Sequence, residues 1–96
     1  LESEKQVPRT RITRPVGPEA ELFGERLREL RQKRKLTLRA LCDTAGMSLA
    51  YLSDLERGLK VPSLTTLVRL AVALDCKVTA LVSGFDKADL RSMLPK

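Results

Sequence analysis

Between Thr37 and Gly58 the chain reads TLRALCDTAGMSLAYLSDLERG, two short helical patterns joined by a connection too tight for an ordinary loop. In the first, Leu41, Cys42 and Ala45 fall on one face at i, i+1 and i+4, and Thr37 is placed to cap its N-terminus. Gly46 comes where a left-handed residue would stop that helix, and Ser48 can cap the next one. In the second helix Leu52 and Leu55 turn inward, Met47 fills the corner between the two, and Gly58 closes the helix. Few folds accommodate such a pair, so the rest of the chain is expected to form the frame that holds it.

This register leaves Leu49, Ala50, Ser53 and Asp54 pointing outward. A helix with small side chains at its N-terminal end and a packed partner behind it is shaped to enter a major groove. The same pattern also suits a plain αα-hairpin inside a helical bundle.

The flanking sequence supplies three further helices. Gly17 and Pro18 open the first, with Pro18 in a first-turn position and Glu19 and Glu21 near the positive helix end. Phe23, Leu27 and Leu30 recur at i, i+4 and i+7 as its inward stripe, and Leu36 returns the chain to the core. Glu25 is expected to pair with Arg28 and Glu29 with Lys33, while Arg31, Arg34 and Lys35 near its end are better placed for a phosphate. After the loop LKVP, Ser63 caps a fourth helix whose expected inward face is Leu64, Leu67, Leu70, Ala71 and Leu74. Asp75, Cys76 and Lys77 link to a fifth, in which Val78, Leu81 and Val82 close the bundle before Gly84.

At this point a resemblance becomes specific. From Phe23 to Val82, about 60 of the 96 residues, the chain resembles the Cro and phage-repressor type (Xre-like) helix-turn-helix family. The matching segments are LRELRQKRKLT, then LC where the family usually has LA, AGMSLAYLSDLERG and PSLTTLVRLAVALDCKVTAL, in order and correctly spaced. The resemblance implies an all-α, compact five-helix lambda-repressor-like bundle whose third helix reads DNA, in proteins that are mostly homodimeric repressors. Carried over one by one, the base-contact positions are Ser48, Leu49, Ala50, Ser53 and Asp54. Leu49 and Ala50 would favour thymine methyls, Ser53 would donate or accept, and Asp54 would accept from cytosine N4 or else pair with Arg57.

The implied phosphate contacts are Lys60, Ser63 and Thr65 around the start of the fourth helix, Arg57, Arg34 and Lys35. Tyr51 joins them if its hydroxyl reaches a phosphate, core packing being its other use. Where the family commonly has Gln at the start of the second helix this chain has Leu38, and Arg39 is the stand-in. Glu56 is expected to be structural, paired with a basic residue of the first helix.

Charge and composition narrow the function classes. The formal net charge of +6 suits a polyanionic partner, and ten of the 18 Lys and Arg lie in residues 1–35. With no His and two Cys, neither imidazole catalysis nor a four-ligand zinc site is available, and no disulfide is expected. There is no Gly-rich phosphate loop and no paired carboxylates in a plausible cleft, so the chain is not read as an enzyme and no cofactor or metal is expected. No apolar run of about 18 residues suggests a membrane span. The polar N-terminus is not read as a signal peptide, and the expected location is cytoplasmic, with the nucleoid.

Residues 1–18, with three prolines, read as a disordered or extended basic segment. Its Lys5, Arg9, Arg11 and Arg14 are either an arm reaching DNA or a solvated tail. Residues 19–84 form the DNA-binding domain. Residues 85–96 are a C-terminal extension in which Phe85, Leu90, Met93 and Leu94 are candidates for a homodimer interface. The leading expectation is a sequence-specific regulator of transcription, a repressor on a near-palindromic double-stranded DNA operator. Within the same fold the alternatives are the antitoxin of a toxin-antitoxin pair, with a protein partner, and the control protein of a restriction-modification system. Outside it stands a protein-interaction adaptor.

Overall fold

The computed structural model describes residues 16–84. The basic arm, the extension 85–96 and the dimer candidates Phe85, Leu90, Met93 and Leu94 lie outside the described residues. Within them the chain is all-helical: α1 (Pro18–Lys33), α2 (Leu38–Ala45), α3 (Leu49–Glu56), α4 (Leu64–Leu74) and the one-turn α5 (Val78–Leu81).

Each boundary follows from local chemistry. Pro18 starts α1, where a missing N–H costs nothing. Thr37, Ser48 and Ser63 cap α2, α3 and α4, their hydroxyls accepting from the backbone N–H of Ala40, Tyr51 and Thr66. Gly46 stops α2 at φ 71°, and Gly58, at φ 76°, turns the chain after α3. Two residues with side chains also take the left-handed conformation, Lys35 after α1 and Asp75 after α4, at φ 59° and 52°. Lys35 is the left-handed residue of a Schellman cap, its N–H donating to the Gln32 carbonyl at 2.9 Å and that of Leu36 to the Arg31 carbonyl at 3.1 Å, a position that favours glycine. Lys35→Gly should therefore stabilise the fold by about 0.5–1 kcal/mol, less than the full left-handed penalty because glycine also loosens the unfolded chain. A rise in the urea midpoint at constant m-value would show it.

The core is one cluster: Phe23 and Leu27 of α1, Leu41, Cys42 and Ala45 of α2, Leu52 and Leu55 of α3, Leu70, Ala71 and Leu74 of α4, and Leu81 of α5. Met47 and Leu36 pack against its edge, as their positions in the turn and after α1 suggest. Two expected core positions are corrected. Leu64 is 73% exposed, because the Ser63 cap sets a register in which Leu67, Leu70, Ala71 and Leu74 face inward. Leu64 instead shares an exposed face with Val68 and Val72 at i, i+4 and i+8. Val82, just past α5, is also exposed, and Leu81 alone of that turn is fully buried.

One backbone-level contact between helices was not legible as a motif. Gly24 of α1 lies against the C-terminal end of α3: a Cβ added there would sit 2.5 Å from the Glu56 carbonyl oxygen and 2.7 Å from that of Leu55. A few residues further along α1, Glu56 turns its carboxylate onto the same helix. Arg31 Nε and Nη2 donate to its two oxygens at 2.7 and 3.2 Å, and Arg28 Nε reaches it at 3.5 Å. The reading of Glu56 as a structural partner of helix 1 therefore holds. The expected Glu29–Lys33 pair does not form; Glu29 accepts from Arg26 at 2.7 Å, and Arg28 is drawn toward Glu56.

Candidate nucleic-acid interface

The front of α3 is built by what lies behind it. Leu52 and Leu55 are completely buried, Glu56 is fixed by Arg31, and Gly24 allows α1 to approach to backbone contact. What remains outward is the cap and first turn: Ser48, Leu49 and Ala50 are exposed, with Leu49 at 40%, and Ser53 and Asp54 are half-buried one turn on.

The polar flank lies toward the α3–α4 loop, residues 57–63. The Asp54 carboxylate stands 4.0 Å from Arg57 Nη1 and 3.7 Å from Lys60 Nζ. The Lys60 ammonium also lies over the Tyr51 ring, 5.7 Å from its centroid. Tyr51 and Thr66 hydroxyls are hydrogen-bonded at 3.1 Å, and Ser63 Oγ, which caps α4, donates to Thr66 Oγ1 at 3.1 Å. The buried Thr66 is thus the hub that joins α3 to the start of α4. Its sequence position, between Thr65 and Leu67, carries no signal beyond lying three residues after the cap.

Several expected phosphate contacts are relocated. The Tyr51 hydroxyl is turned to Thr66, so it takes the structural use left open for it. Arg31 is not a surface cation: besides Glu56 it donates from Nη1 to the Leu36 carbonyl at 2.8 Å, and its bond to Glu56 raises the guanidinium pKa further. Arg34 Nη2 donates to the Asp75 carbonyl at 2.9 Å, binding the end of α1 to the end of α4. Lys35, Arg39, Arg57, Lys60, Ser63 and Thr65 are exposed.

The rest of the described surface offers little other chemistry. An open apolar cleft of about 180 Å³ lies between α1, the α3–α4 loop and Leu67 of α4, and Glu19 is the one titratable residue in its lining. Both cysteines are free thiols, and burial pushes both pKa values up, away from the reactive thiolate. Among the described residues no group of three or more Cys, Asp or Glu is placed to hold a metal, and no helix is long and apolar enough to cross a membrane.

Residues 27–81 match a family model described as helix-turn-helix. The HTH-type transcriptional regulator DdrOP3 of Deinococcus deserti is 50% identical over 62 residues, covering 65% of this chain and 48% of that protein. The immunity repressor protein of Bacillus phage phi105 is 44% identical over 59 residues, covering 62% of this chain and 41% of its own. The chain thus spans about half or less of the length of these curated relatives. Among solved structures, the restriction-modification controller protein C.AhdI from Aeromonas hydrophila superposes with a TM-score of 0.63 at 37% identity, covering 65% of this chain and 94% of that one.

Proposed function

The chain belongs to the helix-turn-helix family of DNA-binding transcription regulators, and from that membership we propose that it is a sequence-specific regulator that represses by occupying a near-palindromic operator as a homodimer. The observation that carries the reading is the exposed first turn of α3, Ser48-Leu49-Ala50, supported from behind by fully buried leucines. In a major groove Leu49 and Ala50 meet thymine methyl groups, and the Ser48 and Ser53 hydroxyls meet base edges. Arg39, Arg57, Lys60, Lys35 and the start of α4 at Ser63 and Thr65 lie along the phosphates and set the register.

One domain presents few base contacts, so tight binding calls for two copies on half-sites about 34 Å apart. Phe85, Leu90, Met93 and Leu94 are the residues proposed to join them. A second reading, a control protein of a restriction-modification system, is favoured by the 94% coverage of C.AhdI, and it uses the same DNA surface.

Selection from a random duplex pool tests the proposal. We expect a palindrome with half-sites one turn apart and a binding constant that falls steeply with salt. Leu49→Asn should change the selected base at one position in each half-site and leave the salt slope alone. Recovery of no preferred sequence would overturn sequence-specific regulation by this chain.

A further inference from the structure

The half-buried acid beside the reading turn of α3 has an occupation of its own. The Asp54 carboxylate, 29% exposed, lies within 4.0 Å of two cations, Arg57 and Lys60, whose side chains are each more than half exposed. Lys60 is held from a second side by the Tyr51 ring, and that ring is fixed through Thr66 to the start of α4. The two ion pairs are long and solvated, so they add little to the stability of the fold. What they determine is where the two cations stand, and both stand on the flank that meets DNA phosphates in the proposed complex.

We propose that Asp54 is a positioning residue that acts through Arg57 and Lys60, its carboxylate filling the place that a DNA phosphate oxygen takes in the complex. This rests on the DNA-binding reading given above. A carboxylate and a phosphodiester carry the same single charge, so a phosphate that reaches these cations competes with Asp54 for them. Two consequences follow. Arg57 and Lys60 are preset near phosphate-binding geometry, and phosphate-driven binding to any duplex is held down. Asp54 does not read cytosine, because an approach of its carboxylate to a base edge would strip it of both partners.

The test compares wild type, Asp54→Asn, Arg57→Gln/Lys60→Gln and the triple variant. Each is titrated with the selected site and with an unrelated duplex from 50 to 200 mM salt, concentrations at which phosphate contacts dominate affinity. Asp54→Asn should bind both duplexes about three- to tenfold more tightly at the low-salt end, with a slope steeper by about 1. The sequence it selects should match that of wild type. In the Arg57→Gln/Lys60→Gln background the gain should disappear.

A changed base preference at one half-site position would make Asp54 a base reader and overturn the inference. So would a gain of equal size in the two backgrounds, which would be general charge repulsion with no role for the pairs. Melting temperatures within about 2 °C of wild type would show that binding, and not folding, has been altered; a larger drop in Asp54→Asn would make its role structural and also overturn the inference. Failure of the wild-type chain to bind either duplex is a separate result, which removes the DNA-binding reading itself and this inference with it.

Discussion

Gly24→Val should prevent the bundle from closing, and Gly24→Ala should lower its stability by about 2–3 kcal/mol. The sign of the alanine result is the informative part. On an isolated helix the same change would stabilise by about 1 kcal/mol, since glycine is the poorer helix former. Here the added methyl meets two backbone oxygens, of Glu56 and Leu55, at 2.5 and 2.7 Å. Neither is the end of a flexible side chain, so α1 and α3 must separate; overpacking against backbone falls at or above the top of the usual range, about 3–4 kcal/mol, from which the propensity gain of about 1 is subtracted. In a domain of this size the net loss lowers the melting temperature by roughly 10–20 °C, measurable by circular dichroism. An unchanged or raised melting temperature would mean that the two helices are not in backbone contact at Gly24.

Glu56→Ala is the second large effect. Its side chain is 4% exposed and that of Arg31 14%, and the fork-like pair between them crosses from α3 to α1. Removing the carboxylate leaves Arg31 with the Leu36 carbonyl alone, a half-satisfied buried cation. Truncating one member of a buried pair costs about 3–5 kcal/mol, and the remaining exposure of Arg31 places this case near 3. Replacing both, as Arg31→Met with Glu56→Leu, should recover most of the loss, because no charge is then left buried and unpaired. Urea unfolding of the single and double variants measures the coupling. If the double variant were as unstable as Glu56→Ala, the loss would come from packing and not from the stranded charge.

What could be read from the sequence was what is decided within a few residues. Thr37, Ser48 and Ser63 were recognisable as caps, and Gly46 as a left-handed stop, because each acts on backbone groups three or four residues away. Glu56 was legible as a structural partner of helix 1 through the resemblance of Glu56 and Arg57 to the family's acid-and-base pair before the glycine. The misreadings share a cause. Leu64 looked apolar enough to be core, yet being the first residue after the cap put it on the open side of α4. Arg31 and Arg34 looked like surface cations in a basic run, and each found an acceptor brought close only by folding, on α3, on the chain after α1 and at the end of α4. Gly24 carried no signal, and Thr66 none beyond its distance from the Ser63 cap, because the partners that matter, the Leu55 and Glu56 carbonyls and the Tyr51 hydroxyl, lie more than ten residues away.

The positions proposed to face bases are the ones the fold constrains least. Nothing in the fold constrains Leu49 or Ala50 from within, whereas the phosphate flank is tied to Tyr51, Thr66 and Asp54.

That asymmetry bears on how such a chain can change over generations. Because α3 is anchored from its rear by the Gly24 contact and the Arg31–Glu56 fork, the side chains at 49 and 50, proposed to meet the bases, can be exchanged while the anchorage stays as it is. A duplicated copy can therefore drift toward a new operator one substitution at a time without passing through an unfolded ancestor. Changes at 24, 31 or 56 strike the anchorage itself, so their cost falls on folding before it falls on recognition.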